Sequence, residues 1–171
     1  QVITAIDEPH PTAMVFVASP ALPSRVVLSN NYAFLADKMQ GLRIVDATDP
    51  TQPALVGTLA TAGIAYDVAV VDDLAYLAVG KAGLQVVDVV DPSAPGDVYS
   101  DTVGTTGDAV GVAVAGDAVY LADSENGLVG VSTTEAMTAT LITASPALDV
   151  AVSGDYAYVA AGANGLLVVD R

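Results

Sequence analysis

The chain has no cysteine and no tryptophan, and a single histidine, His10, in 171 residues. With no thiols, disulfide usage gives no clue to a redox compartment. Basic residues are scarce too: five Lys and Arg face 20 Asp and Glu, a net charge of −15. That balance excludes a basic nucleic-acid footprint, and an anionic membrane surface repels it. No uninterrupted apolar run reaches the ~18 residues that a transmembrane helix needs. No Asp-x-Asp-x-Asp-Gly loop offers a dedicated calcium site. No Asn-x-Ser/Thr sequon is present either.

What the chain does have is apolar sequence in short pieces. It is 53% hydrophobic and only 15% charged, with a mean hydropathy of +0.55. The excess is Val, Ala and Leu in brief runs, the composition of strands buried on both faces. Seventeen of the 20 acids are Asp, most at turn positions. Turn chemistry and solubility account for them; a saline or cation-rich environment is the alternative reading.

The runs repeat. Gly-Leu pairs stand at Gly41-Leu42, Gly83-Leu84, Gly127-Leu128 and Gly165-Leu166, spaced 42, 44 and 38 residues apart. Phe34, Tyr76, Tyr120 and Tyr158 keep the same spacing, as do the turn residues Asn31, Asp73, Asp117 and Asp155. Each unit divides into strands. The first set is 26–29, 68–71, 112–115 and 150–153; the second, carrying the aromatics, is 32–36, 75–79, 119–122 and 156–160. A third set covers 42–46, 84–88, 128–132 and 166–170, and outer strands follow at 55–59, 98–102 and 139–143. No segment shows capped helical periodicity. Four antiparallel strands per repeat of about 40–45 residues predict an all-β fold, a β-propeller of four blades. The aromatics read as packing residues between blades.

Gly-Leu-Arg-Ile-Val-Asp (41–46), Gly-Leu-Gln-Val-Val-Asp (83–88) and Gly-Leu-Leu-Val-Val-Asp (165–170) resemble the LVIVD repeat. The Asp-Pro-x-x-Pro loops and the Asp-Val-Ala-Val phrases resemble it as well. The third unit departs, reading Gly-Leu-Val-Gly-Val-Ser (127–132) with no Asp-Pro after it. The resemblance implies a propeller of secreted and cell-surface proteins of bacteria and archaea, with no catalytic residues to carry over.

The two ends interlock in this reading. Residues 1–7 align with 43–49, and a strand is expected near 14–19, whereas the last repeat has no outer strand after it. One domain therefore spans 1–171, with repeats at about 25–66, 67–110, 111–148 and 149–171 and residues 1–24 completing the last blade. Such N-terminal strand closure removes open edges from the ring. Two segments, Gln1–Ala5 and Leu167–Arg171, then claim one strand position. The displaced Gln1, Val2, Ile3, Thr4 and Ala5 are expected to add to a sheet of a neighbouring subunit.

Candidate sites are few. His10 lies between Pro9 and Pro11 and reads as a loop residue. At the channel mouth the first inner strands begin at Arg25, Asp67, Gly111 and Asp149, and the two Asp are the candidates for a cation or ligand site. No cofactor is expected. One histidine, no cysteine and no catalytic motif point away from an enzyme. The expected function is a non-catalytic, extracellular or cell-surface propeller acting through protein–protein contacts, as a self-assembling structural subunit of a filament or surface layer. The expected partner is protein, the chain itself included, with no nucleic acid and no membrane insertion. The alternatives are a ligand- or cation-binding propeller module, a fragment of a larger propeller of about six to eight blades, or two chains sharing one ring of about eight blades.

Overall fold

A computed structural model describes residues 17–19, 22–99, 102–133, 139–141 and 146–171. Gln1–Ala5 and His10 lie outside the described residues, as does 14–16 of the strand expected near 14–19; the described part, 17–19, is not in a strand. Among the described residues fifteen strands form four antiparallel sheets. The first sheet joins β1 (Arg25–Ser29), β2 (Tyr32–Ala36), β3 (Leu42–Asp46) and β4 (Ala54–Leu59) in that order. The second joins β5 (Asp67–Val71), β6 (Leu74–Ala78), β7 (Leu84–Asp88) and β8 (Gly96–Asp97). The third joins β9 (Ala109–Ala115), β10 (Ala118–Asp123), β11 (Gly127–Ser132) and β12 (Ala139–Leu141). The last joins only β13 (Asp149–Ser153), β14 (Tyr156–Ala160) and β15 (Leu166–Asp170).

Each sheet is one repeat, and sequence-adjacent strands pair because their loops are hairpins. Asn30 and Asn31 (φ 47° and 65°) make a two-residue turn between Ser29 and Tyr32. Asp72, Gly116 and Gly154 supply the positive φ at the same place in the other blades. Short loops with left-handed residues match the twist of the strands they join. Registers run unbroken through 25–36 and 149–160.

The outer strand of the second blade differs from the expected 98–102. Pairing continues only as far as Val98, whose N–H donates to Val86 O at 3.0 Å, next to Asp97, whose carboxylate accepts from the Gln85 amide at 2.6 Å. It resumes at Val103, which exchanges both backbone bonds with Leu84. Val98 and Tyr99 turn out to solvent between these points. An outermost strand buries little, so a side-chain bond and a preceding proline suffice to redirect it.

Among the described residues three cores lie between consecutive blades. The first packs Phe34, Leu42 and Ile44 against Val68, Leu77 and Val87. The second sets Tyr76, Leu84 and Val86 against Val112, Leu121 and Val129. The third sets Tyr120 and Leu128 against Val150, Ala157 and Val159. Each of the two inner blades thus packs one apolar face on the blade before it and one on the blade after. Burial on both sides explains why β3 and β7 lack polar alternation. In β14 and β15 exposed and covered residues alternate, because only one face is packed.

Candidate functional site: the channel mouth and the terminal blade faces

The inner strands bring Arg25, Asp67 and Asp149 to one cavity of about 180 Å³, with Ser24, Tyr66 and Leu148 also on its wall. Asp67 is the best-fixed of these. Its Oδ1 accepts from its own strand at Val68 N (2.8 Å) and lies 3.3 Å from Arg25 Nε. Its Oδ2 accepts from Val112 N of the next blade at 3.0 Å. Asp149 repeats the first bond, accepting from Val150 N at 2.9 Å. Gly111 holds the equivalent place in the third blade, where a Cβ would sit 3.3 Å from Asp149 Oδ1.

Burial pushes the Asp67 carboxyl up, against the two backbone bonds and the Arg25 charge, which pull it down; the Asp149 charge adds to the rise. A carboxyl raised on folding contributes stability that is fully present below its unfolded pKa and is lost as pH rises through the folded value. Removing the guanidinium should raise it further. NMR titration of the Asp67 carboxyl is expected to show a midpoint above the ordinary carboxylate range, higher still in Arg25→Ala. An unmoved midpoint in the variant would contradict this coupling.

The arrangement is a structural clamp between blades. Three donors already use the Asp67 oxygens, and one of them is a cation. Among the described residues no group of three or more His, Cys, Asp or Glu comes together as metal ligands.

Sequence reading passed over a second set of acids, at the end of the second strand of a blade. Asp123 is fully buried. It accepts from Glu125 N and Asn126 N at 2.9 Å each, and from Gly107 N at 2.9 Å. A Cβ at residue 107 would lie 2.2 Å from Asp123 Oδ1, so glycine is what lets that amide approach. Burial raises the carboxyl, but the three amides outweigh it and hold it below the usual range. The signal was available as Asp-Ser-Glu-Asn, an Asp followed by a turn whose amides it can cap. Asp37 takes this position in the first blade with different partners, the Ser19 hydroxyl and Arg43 Nη1 at 3.5 Å. Arg43 also donates to Ala18 O.

Asp123→Ala should cost about 2–3 kcal/mol at neutral pH, since buried N–H groups lose a charged acceptor. A carboxyl lowered on folding stabilises above its unfolded pKa, and that contribution disappears as pH falls through the folded pKa. The gap between wild type and variant in urea melts should therefore close in acid. A gap independent of pH would contradict the assignment.

The four aromatics do not share one environment. Phe34, Tyr76 and Tyr120 are 3, 7 and 6% exposed, as packing residues should be, whereas Tyr158 is 36% exposed. The fourth aromatic is thus not a buried residue, because among the described residues no blade packs on that face. The same break appears at Leu42, Leu84 and Leu128, at most 1% exposed, against 67% for Leu166. At the other end Val26 is 57% exposed, whereas its counterparts Val68, Val112 and Val150 are at most 5%.

The match to known sequences lies in the repeats. The LVIVD repeat model matches residues 23–61, 62–100, 106–131 and 145–170. The chain belongs to the LVIVD-repeat family. Compared along its length with curated proteins, it matches none. Its fold resembles the computationally designed Ika4 protein, with a TM-score of 0.73 at 10% identity over 90% of this chain and 93% of that one. It also resembles BamB from Moraxella catarrhalis (TM-score 0.67, 16% identity), covering 92% of this chain but 47% of BamB. A chain of the mitotic checkpoint complex gives 0.63 at 10% identity, over 99% of this LVIVD-repeat chain and 57% of that one. These likenesses establish the propeller fold. Among the described residues no helix is long and apolar enough to cross a membrane.

Proposed function

We propose that this LVIVD-repeat chain is a non-catalytic propeller of the cell surface or extracellular space that works through protein–protein contacts, contacts with its own copies among them. The observation that carries the reading is the pair of apolar blade faces left open at the ends of the array, at Val26 and Leu28 and at Tyr158, Leu166 and Val168. Contiguous exposed apolar surface on a folded domain marks an interaction site. The mitotic checkpoint complex, which contains a chain of similar fold, supports a contact role by analogy only.

The open edge of β15 supports a further element of this reading. Among the described residues nothing pairs with its outer side, so it can accept an added strand. Gln1–Ala5 of a neighbouring copy is the proposed donor.

Two measurements test the reading. Protease added to intact cells should digest the chain, and amine or carboxyl cross-linking on those cells should join it to protein. A protected chain, or one recovered only uncross-linked, would overturn it. Deleting residues 1–6 should reduce the mass or change the morphology of any assembly. If the shortened chain assembles as the full one does, strand donation is wrong.

A further inference from the structure

The two exposed faces are the unmatched halves of an interface the chain already makes three times. In each internal core the face bearing Phe34, Tyr76 or Tyr120 lies on the face bearing Val68, Val112 or Val150. The fourth blade offers the first kind of face with Tyr158, and the first blade offers the second kind with Val26, both open. We propose that a second copy of this chain covers both, so that two copies close head to tail into one ring of eight blades, four from each. This rests on the protein-contact reading above and names its partner.

A second copy fits because it carries both complementary surfaces in the spacing required. An unrelated protein would have to imitate two different faces at once. The shape of the array agrees: superposed on BamB, 92% of this chain takes up less than half of a longer propeller chain. Two arcs of this size fill what one such chain fills.

The polar groups at the junction match as well. Across blades, Asp67 Oδ2 accepts from Val112 N. Asp149 occupies the place of Asp67 in its repeat, and Val26 the place of Val112. At the junction Asp149 of one copy therefore meets the Val26 amide of the other. Arg25, half exposed beside its own Asp67, stands next to that point and brings positive charge to the partner's Asp149. This local attraction opposes the general repulsion of two chains carrying −15 each. One bond is weaker than two of its three internal counterparts, the third seam having a single bond from Ala147 N to Asp123 O. Lys38 with Ala65 and Gly80 with Ala109 exchange backbone bonds in both directions, whereas at the junction Gly162 meets Pro23, which accepts but cannot donate. Closure by a two-fold also ends growth, since a head-to-tail contact repeats without limit unless the rotation closes.

The test is mass and connectivity in solution. Light scattering on the purified full chain should give twice its 17.1 kDa, unchanged on raising the concentration. Tyr158→Arg and Leu28→Asp should each return it to a single-chain mass. Both should keep the wild-type far-UV circular dichroism and a cooperative melt, because each side chain is solvent-exposed in the single chain. A chain with cysteine at both Leu28→Cys and Val168→Cys, treated with a short bis-maleimide, should form a covalent dimer through mixed 28–168 links. A single-chain mass for the wild type would overturn the proposal, as would open-ended growth or links only between identical positions. A monomer that dimerises when residues 1–16 are deleted would show the chain's own N-terminal segment to be the occupant, and would equally overturn it. Association that persists in both face variants removes the ring and leaves the wider protein-contact reading standing.

Discussion

Tyr120→Ala should lower the unfolding free energy by about 3–5 kcal/mol, whereas Tyr158→Ala, at the same repeat position, should lower that of the single chain by less than ~1 kcal/mol. Tyr120 fills the core between the third and fourth blades, packed with Leu128 and Val159. Truncating it removes buried aromatic surface and leaves a cavity that strands tied in ladders cannot collapse around. Tyr158 lies on the outward face of the last blade, so its truncation removes surface that water already reaches. Denaturant melts under conditions where the chain is a single copy read both values. Equal losses would mean that the last face is covered within the chain.

Gly83→Ala should be as damaging, at about 3 kcal/mol or more, and Gly165→Ala should cost only about 1 kcal/mol. The two glycines hold one place in the repeat and similar backbones, φ 81° and 73°. Both substitutions therefore put an L side chain into the left-handed region, which alone costs about 1 kcal/mol. The surroundings separate them. A Cβ at 83 would lie 2.0 Å from Val103 O, the atom that accepts the Leu84 backbone bond. The outer strand must move away and that ladder bond breaks. At 165 none of the described residues stands within 4 Å, because among them no strand pairs with the outer side of β15. Melts of the two variants should differ several-fold in their loss. A similar loss at both sites would place an outer strand beside β15.

Charge at the repeat positions separates in the same way. Asp67 and Asp149 are identical in sequence context, each followed by Val-Ala-Val. Only Asp67 has a following blade to supply a donor, the Val112 amide, and a cation beside it. Asp37 and Asp123 likewise share a repeat position, yet one is capped by turn amides and the other by Arg43 and Ser19. A residue's place in the repeat sets where its side chain starts. The neighbouring sheet sets what it meets.

The sequence by itself determined the strands, their order within each blade and the faces they present. Strand pairing here is between neighbours along the chain, so two-residue turns such as Asn30-Asn31 and the run of Val and Tyr residues encode it locally. The exception within the described strands, the outer strand of the second blade, was redirected by a contact from Gln85 to Asp97 that no local pattern announces. Only the tertiary structure decided which faces are covered. Leu-Leu-Val-Val-Asp at 166–170 reads like Leu-Gln-Val-Val-Asp at 84–88, yet Leu166 is exposed and Leu84 buried. Burial belongs to a pair of faces. A strand's own residues state that a face is apolar; whether a blade lies against it depends on where the array of blades ends in space.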